Sequence, residues 1–166
     1  MQFEIYIKVK EGKLGKGLYS EIEIPANKPI IEFKGKICLT KNLPVDCEDY
    51  LQIGPDRFMT PNGSATGVDF INHSCHPNCV LKAIGNRVIL YSLYVIPKGG
   101  QLTVDYSTTS TDDLDTWSMA CKCGHPKCRK IISGVQYLSD QQKKEYAEKG
   151  LLPLFITHPN LFNKTW

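Results

Sequence analysis

Asp69-Phe70-Ile71-Asn72-His73-Ser74-Cys75-His76-Pro77-Asn78-Cys79 packs carboxylate, amide, imidazole, thiol and aromatic groups, with a turn-forming proline, into eleven consecutive residues. Taken alone, Asn72 and His73 read as loop residues ahead of Pro77. The chain beyond Cys79 is patterned differently. Residues 80–84 and 87–96 are strongly β-prone and are separated by Gly85-Asn86, a two-residue hairpin turn. Pro97-Lys98-Gly99-Gly100 then reverses the chain into a further extended run over 101–105. Before the motif, Asn62-Gly63-Ser64-Ala65-Thr66-Gly67 is too rich in small residues for a strand and is expected to line a cavity. After Tyr106, residues 107–115 are polar and unpatterned, which predicts a mobile loop.

Further out, Phe3, Ile5, Ile7 and Val9 alternate with Glu4, Tyr6, Lys8 and Lys10, the period of a half-buried strand. Gly12 and Gly15 turn the chain, and residues 17–22 return as a second strand, so Gly15-Lys16-Gly17 sits at a hairpin end. Glycines there admit positive φ and let a ligand approach the backbone. Ile24-Pro25-Ala26-Asn27-Lys28-Pro29 is turn chemistry, and residues 30–33 form a short strand. Residues 38–49 carry Cys38 and Cys47 in a loop or short helix, whereas 50–53 and 57–60 make a hairpin about Gly54-Pro55-Asp56. Ser139 and Gln142 match a capping box for a short, polar, surface helix reaching about Lys149, with Gly150 as its left-handed cap. Residues 151–155 and Leu161-Phe162 are apolar enough to dock. The many short strands joined by Gly/Pro turns make the chain mainly β.

A chain of 166 residues has the usual size of one domain. A formal net charge of +3, without a Lys/Arg block or a basic aromatic stripe, argues against direct nucleic-acid binding. No long apolar run exists to cross a membrane, and Met1-Gln2-Phe3-Glu4 lacks the pattern of a signal peptide. An intracellular protein with no membrane partner is therefore expected. Seven cysteines are an odd count, and three of them cluster at metal-ligand spacing, which favours a reducing compartment, cytoplasm or nucleus, over a disulfide scaffold. Those three lie in Cys121-Lys122-Cys123-Gly124-His125-Pro126-Lys127-Cys128, where Gly and Pro bend the chain so that the sulfurs can converge. A closed structural zinc site wants four soft ligands at about 2.3 Å.

Three features in order, Asn72-His73-Ser74-Cys75-x-Pro77-Asn78, Leu102-Thr103-Val104-Asp105-Tyr106 and Cys121-x-Cys123-x4-Cys128, together resemble the SET-domain protein lysine methyltransferases that carry a cysteine-rich post-SET segment. The resemblance covers residues from about 14 to about 129. It implies a mainly β (α+β) SET-domain fold of several small sheets, with knot-like C-terminal threading, a zinc-stabilised post-SET segment and a short C-terminal helix. Residues 1–116 would form the SET domain, 117–134 the zinc segment, and 135–166 a helix and tail packed on the same domain.

The resemblance also implies S-adenosylmethionine as methyl donor and a protein or peptide lysine as acceptor, in a histone or another protein. Tyr106 is implied as the catalytic tyrosine, and Lys16, Gly17, Tyr50, Asn72 and His73 as cofactor-binding, partly through main-chain atoms. Cys75 is implied as the fourth ligand, beside Cys121, Cys123 and Cys128, of one structural zinc; His125 in place of Cys75, and Cys79, are competing ligands. Trp117 and Met119 resemble apolar lid positions near the adenine, with ordinary packing the stronger reading for either one. Leu81 and Val104 align with positions where a tyrosine stops methylation early, so more than one methyl is expected here. Asp69 departs from the Arg that many relatives carry. The alternative function is a catalytically silent, zinc-stabilised module that binds peptide or protein.

Overall fold

The computed structural model describes residues 7–43, 50–61, 68–111 and 117–161. Its strands in chain order are β1 (Ile7–Gly12), β2 (Gly15–Ser20), β3 (Pro29–Phe33), β4 (Gly35–Leu39), β5 (Leu51–Gly54) and β6 (Arg57–Pro61). After these come β7 (Asn72–His73), β8 (Cys79–Ile84), β9 (Arg87–Ser92), β10 (Thr103–Val104), β11 (Ser118–Ala120) and β12 (Ile131–Ser133), then helices α1 (Asp140–Glu148) and α2 (Leu154–Thr157). The strands form two three-stranded sheets, ordered β3-β9-β8 and β4-β6-β5, and three two-stranded pairs, β1-β2, β7-β10 and β11-β12. Several small sheets with little helix is the mainly β architecture that the sequence predicts.

Burial follows from strand position. Val88, Ile89 and Leu90 of β9 are all buried, because β9 is the middle strand of its sheet and is covered on both faces. On β8, Val80 faces one way and Leu81 and Ala83 the other, as the period of a strand requires. The Leu81 face joins the main core of Leu18, Ile24, Ile30, Leu90, Ile96 and Leu102, each at most 1% exposed. Burying each such side chain contributes about 1.5–3 kcal/mol. The Val80 face, with Tyr91 and Leu93, packs against Val135, Leu138, Tyr146, Leu151 and Leu152, so the C-terminal segment covers the outer side of the β8–β9 hairpin.

Helix α1 has the expected capping box between Ser139 and Gln142. Gly150 is left-handed at φ 64°, and the Leu151 N–H reaches the Tyr146 carbonyl at 2.8 Å, closing the helix end.

Three expectations need correction. The strand predicted over 87–96 stops at Ser92, whose hydroxyl donates to the Pro25 carbonyl at 2.6 Å and accepts from the Lys28 N–H at 2.9 Å, drawing the chain out of its ladder. The run over 101–105 supplies only the two residues of β10, which pair in parallel with β7 across the intervening residues 74–102. Residues 107–111 are not a mobile loop: Ser107, Thr108 and Ser110 are buried, and the Thr111 N–H and hydroxyl both donate to the Gln52 side-chain oxygen. Their polarity is satisfied internally, so polar composition misreads them as solvent-exposed. The remainder of that predicted loop, 112–116, and the predicted loop at 62–67, lie outside the described residues.

Candidate active site and thiol cluster

The β7–β10 pair brings the two polar motifs together, because Asn72 lies opposite Thr103 and His73 opposite Val104. The Ser74 N–H continues the pairing to the Val104 carbonyl at 2.9 Å. From β7, the Asn72 side-chain amide donates to the Lys16 carbonyl at 3.0 Å, which ties the β1–β2 hairpin to the motif. Gly17 lets this contact close: a Cβ there would lie 2.4 Å from Gln101 Nε2 and 2.9 Å from Asn72 Nδ2, and those side chains would have to move. Lys16 is exposed, with its ammonium 5.9 Å from the centre of the Phe70 ring. Lys16, Gly17 and Asn72 are thus brought together.

Tyr106 opens a 3-10 turn, Tyr106–Thr108, directly after Asp105. Its hydroxyl donates to the Ile71 carbonyl at 2.6 Å, and its N–H donates to His73 Nδ1 at 3.2 Å. The hydroxyl and ring are therefore located from both ends by the 71–73 segment. Tyr50 stands edge-on to the buried Phe58 of β6, with ring centres 5.3 Å apart. A cavity beside Thr108 and Thr109 is lined by Leu51 and Ile53 of β5, Leu81 of β8 and Pro153. Val104, by contrast, is buried in the main core. Asp69 is exposed on the preceding turn, Val68–Phe70.

The thiols converge as well. Cys75 and Cys121 sulfurs are 3.6 Å apart, and the donor atoms of His73, Cys75, Cys121 and Cys123 lie within 4.8 Å of one another. The Cys128 thiol donates to the Cys121 carbonyl at 3.8 Å and accepts from the Lys130 N–H at 3.4 Å. Burial pushes the Cys75 thiol up to about 12. Burial also acts to raise Cys123, but the amides of Cys75 and His125 and the neighbouring thiols outweigh it and bring Cys123 down to about 7. The described cysteines are all free, and Cys47 lies outside the described residues. Converging soft donors of this kind fit a structural zinc.

His73 and Cys128 compete for the fourth place, and hydrogen bonding separates them. Burial holds the His73 ring neutral, down to about 4, so the ring carries one proton. Since Nδ1 accepts from the Tyr106 N–H, the network assigns that proton to Nε2, which faces the Cys75 sulfur at 3.2 Å. With that assignment Nε2 is the donor toward the Cys75 thiol, which favours Cys128 over His73 as the fourth ligand. The competing residues are engaged elsewhere: His125 stacks on His76 at 4.5 Å and accepts from the Lys127 N–H, and Cys79 is 1% exposed within the core.

Sequence reasoning gave no role to Arg129, Tyr146 or the Asp105 carboxylate. Arg129 donates to both Asp105 oxygens, at 2.6 and 2.7 Å, and Tyr146 donates to Oδ2 at 2.6 Å. Burial alone would raise the Asp105 carboxyl; the Arg129 bonds and charge and the Tyr146 hydroxyl prevail and hold it below the usual range. The available signals were slight: Arg129 follows Cys128 directly, and Tyr146 is the one aromatic residue on the otherwise polar α1. Trp117 donates its indole N–H to Ser110 at 3.0 Å, while Met119 is 48% exposed.

Comparison with known proteins agrees with this arrangement. The family model described as SET domain matches residues 15–107. Among curated proteins, the histone-lysine N-methyltransferase trr of Drosophila melanogaster is 30% identical over 132 residues, covering 72% of this chain and 5% of its own. The H3 lysine-4 specific histone-lysine N-methyltransferase of Emericella nidulans is 31% identical over 131 residues, covering 70% of this chain and 11% of its own. The crystal structure of KRYPTONITE in complex with mCHG DNA and SAH superposes with a TM-score of 0.63 at 28% identity, over 79% of this chain and 30% of that one. This chain therefore spans only a small part of the length of those relatives. With the matched segment covering more than half of its residues, the chain belongs to the SET domain family.

Proposed function

We propose that this chain is an S-adenosylmethionine-dependent protein lysine N-methyltransferase domain. One observation carries the reading: adjacent residues Asn72 and His73 hydrogen-bond, respectively, to the hairpin bearing Lys16-Gly17 and to the backbone of Tyr106. The two curated relatives are histone-lysine N-methyltransferases, and a second KRYPTONITE structure, with a TM-score of 0.62, holds an H3(1–15) peptide with SAH. These support a lysine-bearing protein substrate of the histone-tail kind.

When bound, S-adenosylmethionine supplies an electrophilic methyl group on a cationic sulfur. The chain's own task is orientation and proton removal. Lys16, Gly17, Asn72 and His73 are the proposed cofactor shelf; the His73 side chain, 6% exposed, is turned inward, which leaves its main chain for contact. Tyr50 is the proposed neighbour on the β5 side. A free lysine has a pKa of about 10.4, so deprotonation near pH 7 costs about 4–5 kcal/mol. An apolar channel around the amine would disfavour the ammonium and reduce that cost. Tyr106, fixed through Ile71 and His73, is the proposed group that aligns the neutral amine, and orientation supplies several kcal/mol more.

Zinc held by Cys75, Cys121, Cys123 and Cys128 would contribute structure only. Four thiolate ligands suit the reducing cytoplasm or nucleus, and no described helix is long and apolar enough to cross a membrane. The division into a SET domain (1–116), zinc segment (117–134) and docked tail (135–166) is supported by the packing of Leu138, Leu151 and Leu152 on Val80.

Incubation with labelled S-adenosylmethionine and a protein panel that includes histones, followed by mass spectrometry, should place the label on lysine. A folded protein that binds the cofactor and labels nothing would favour the silent peptide-binding module, for which the exposed acidic Asp69 is the supporting observation.

A further inference from the structure

The Asp105 carboxylate is 1% exposed and fully committed. Its Oδ2 accepts from Arg129 Nη1 at 2.6 Å and from the Tyr146 hydroxyl at 2.6 Å. Its Oδ1 accepts from Arg129 Nη2 at 2.7 Å and from the Ser107 N–H at 3.0 Å. The same guanidinium donates to the Ser107 hydroxyl at 2.9 Å and to the Tyr146 oxygen at 3.2 Å, while the Arg129 N–H points at the Cys75 sulfur at 3.4 Å. Segments far apart in sequence thus meet on the residue that immediately precedes Tyr106.

A buried ion pair is a poor device for stability alone, since well-packed apolar residues of the same volume do as well. Fixed direction is what the forked guanidinium and the carboxylate add. Asp105 caps the turn Tyr106–Thr108 by accepting from the Ser107 N–H, and its backbone carbonyl accepts from the Thr108 N–H at 3.0 Å. Rotation of the carboxylate would release that turn. Tyr106 is anchored on its other side by Ile71 and His73, both from the central motif. From the C-terminal part of the chain, Arg129 and Tyr146 bring polar restraint to this turn, against which β12 also packs.

Tyr146 is the one buried residue of α1. Its ring packs with Val80, Leu138, Leu151 and Leu152, so packing accounts for the ring but not for the hydroxyl. We propose that Tyr146 is a positioning residue: through Asp105 and Arg129 its hydroxyl holds the turn that carries Tyr106, making α1 part of the catalytic apparatus. The link from Tyr106 to catalysis rests on the methyltransferase reading; the link from Tyr146 to the turn does not.

Tyr146→Phe isolates the hydroxyl, because the ring and its packing remain, and Tyr137→Phe, at a residue 64% exposed, is the control. Amide hydrogen exchange read by NMR should quicken about tenfold at Ser107, Thr108 and Thr109 in Tyr146→Phe, the size expected for losing one hydrogen bond to a charged group. Amides of the β8–β9 hairpin and the bound metal should be unchanged. In the methylation assay, kcat should fall by about the same factor with the cofactor KM unaltered, and Tyr137→Phe should match wild type throughout. Unchanged exchange at 107–109, or an equal rise in the β8–β9 hairpin, would overturn the proposal, as would an unaltered kcat in an enzyme whose turn has loosened. Local loosening in a protein whose wild type methylates nothing would uphold the positioning of the turn and overturn the methyltransferase reading instead.

Discussion

Tyr106 has three polar or ring contacts to residues 71–73, and the hydroxyl contact is the one a phenylalanine removes. Tyr106→Phe should lower turnover by about a hundredfold or more, within the range for losing a positioned acid–base or orienting group. Cofactor affinity measured by calorimetry should stay within about twofold, because the proposed shelf at Lys16 and Asn72 is untouched. Wild-type turnover in Tyr106→Phe would make the residue structural. Leu81 carries a second expectation. It lines the cavity beside Thr108, whereas Val104 lies in the core, so of the two positions implied to control methyl number Leu81 is the one bordering open space. A time course by mass spectrometry should show di- or trimethyllysine, and Leu81→Tyr should stall the product at one methyl; a wild-type enzyme that stops at one under excess cofactor would defeat this. Tyr106 and the cysteines were legible in the sequence because each sits in a spaced motif. Arg129 and Tyr146 were not, since a single arginine or tyrosine has no period, and what makes them matter is a carboxylate 24 and 41 residues away.

At the scale of elements, local chemistry was read well and long-range pairing poorly. The hairpins about Gly54-Pro55-Asp56 and Gly85-Asn86 form where turn chemistry put them, and α1 starts and stops on its predicted caps. That the segments of β7 and β10 meet was expected through the family resemblance alone, because two residues cannot show an alternation and parallel pairing joins segments that share no turn. The ends of α1 give a quantitative check. Ser139→Ala removes the hydroxyl half of the capping box, leaving the backbone N–H of 139 on Gln142, and should cost about 1 kcal/mol. Gly150→Ala meets no atom within 4 Å, so its penalty, also about 1 kcal/mol, comes from the φ of 64° alone. Denaturant titration should find the two losses similar and nearly additive, since the sites lie at opposite ends of the helix. A neutral Gly150→Ala would mean that the tail does not unfold with the rest of the domain.

For the whole molecule, the thiol cluster is where the end of the chain is tied to its middle. Cys75 belongs to the central motif and Cys121, Cys123 and Cys128 to the C-terminal part, and two backbone N–H groups of that part, from Arg129 and Lys130, point at the Cys75 and Cys128 sulfurs. His73 extends the tie inward, its Nε2 to Cys75 and its Nδ1 to the Tyr106 backbone. Zinc on this cluster should therefore stabilise the site together with the tail. Protein purified without added metal should contain about one zinc per chain, and Cys128→Ser should lower that content. Chelation should reduce the melting temperature by about 10 °C, as expected for losing a few kcal/mol from a domain of this size. It should also quicken amide exchange at 118–133 and at 106–109 together, and abolish methylation, because Arg129 can no longer be held against Asp105 once its neighbours are released. Folded, active protein with no bound metal would refute the zinc assignment. Loosening confined to 118–133, with 106–109 still protected, would show instead that the cluster anchors the tail without reaching Tyr106.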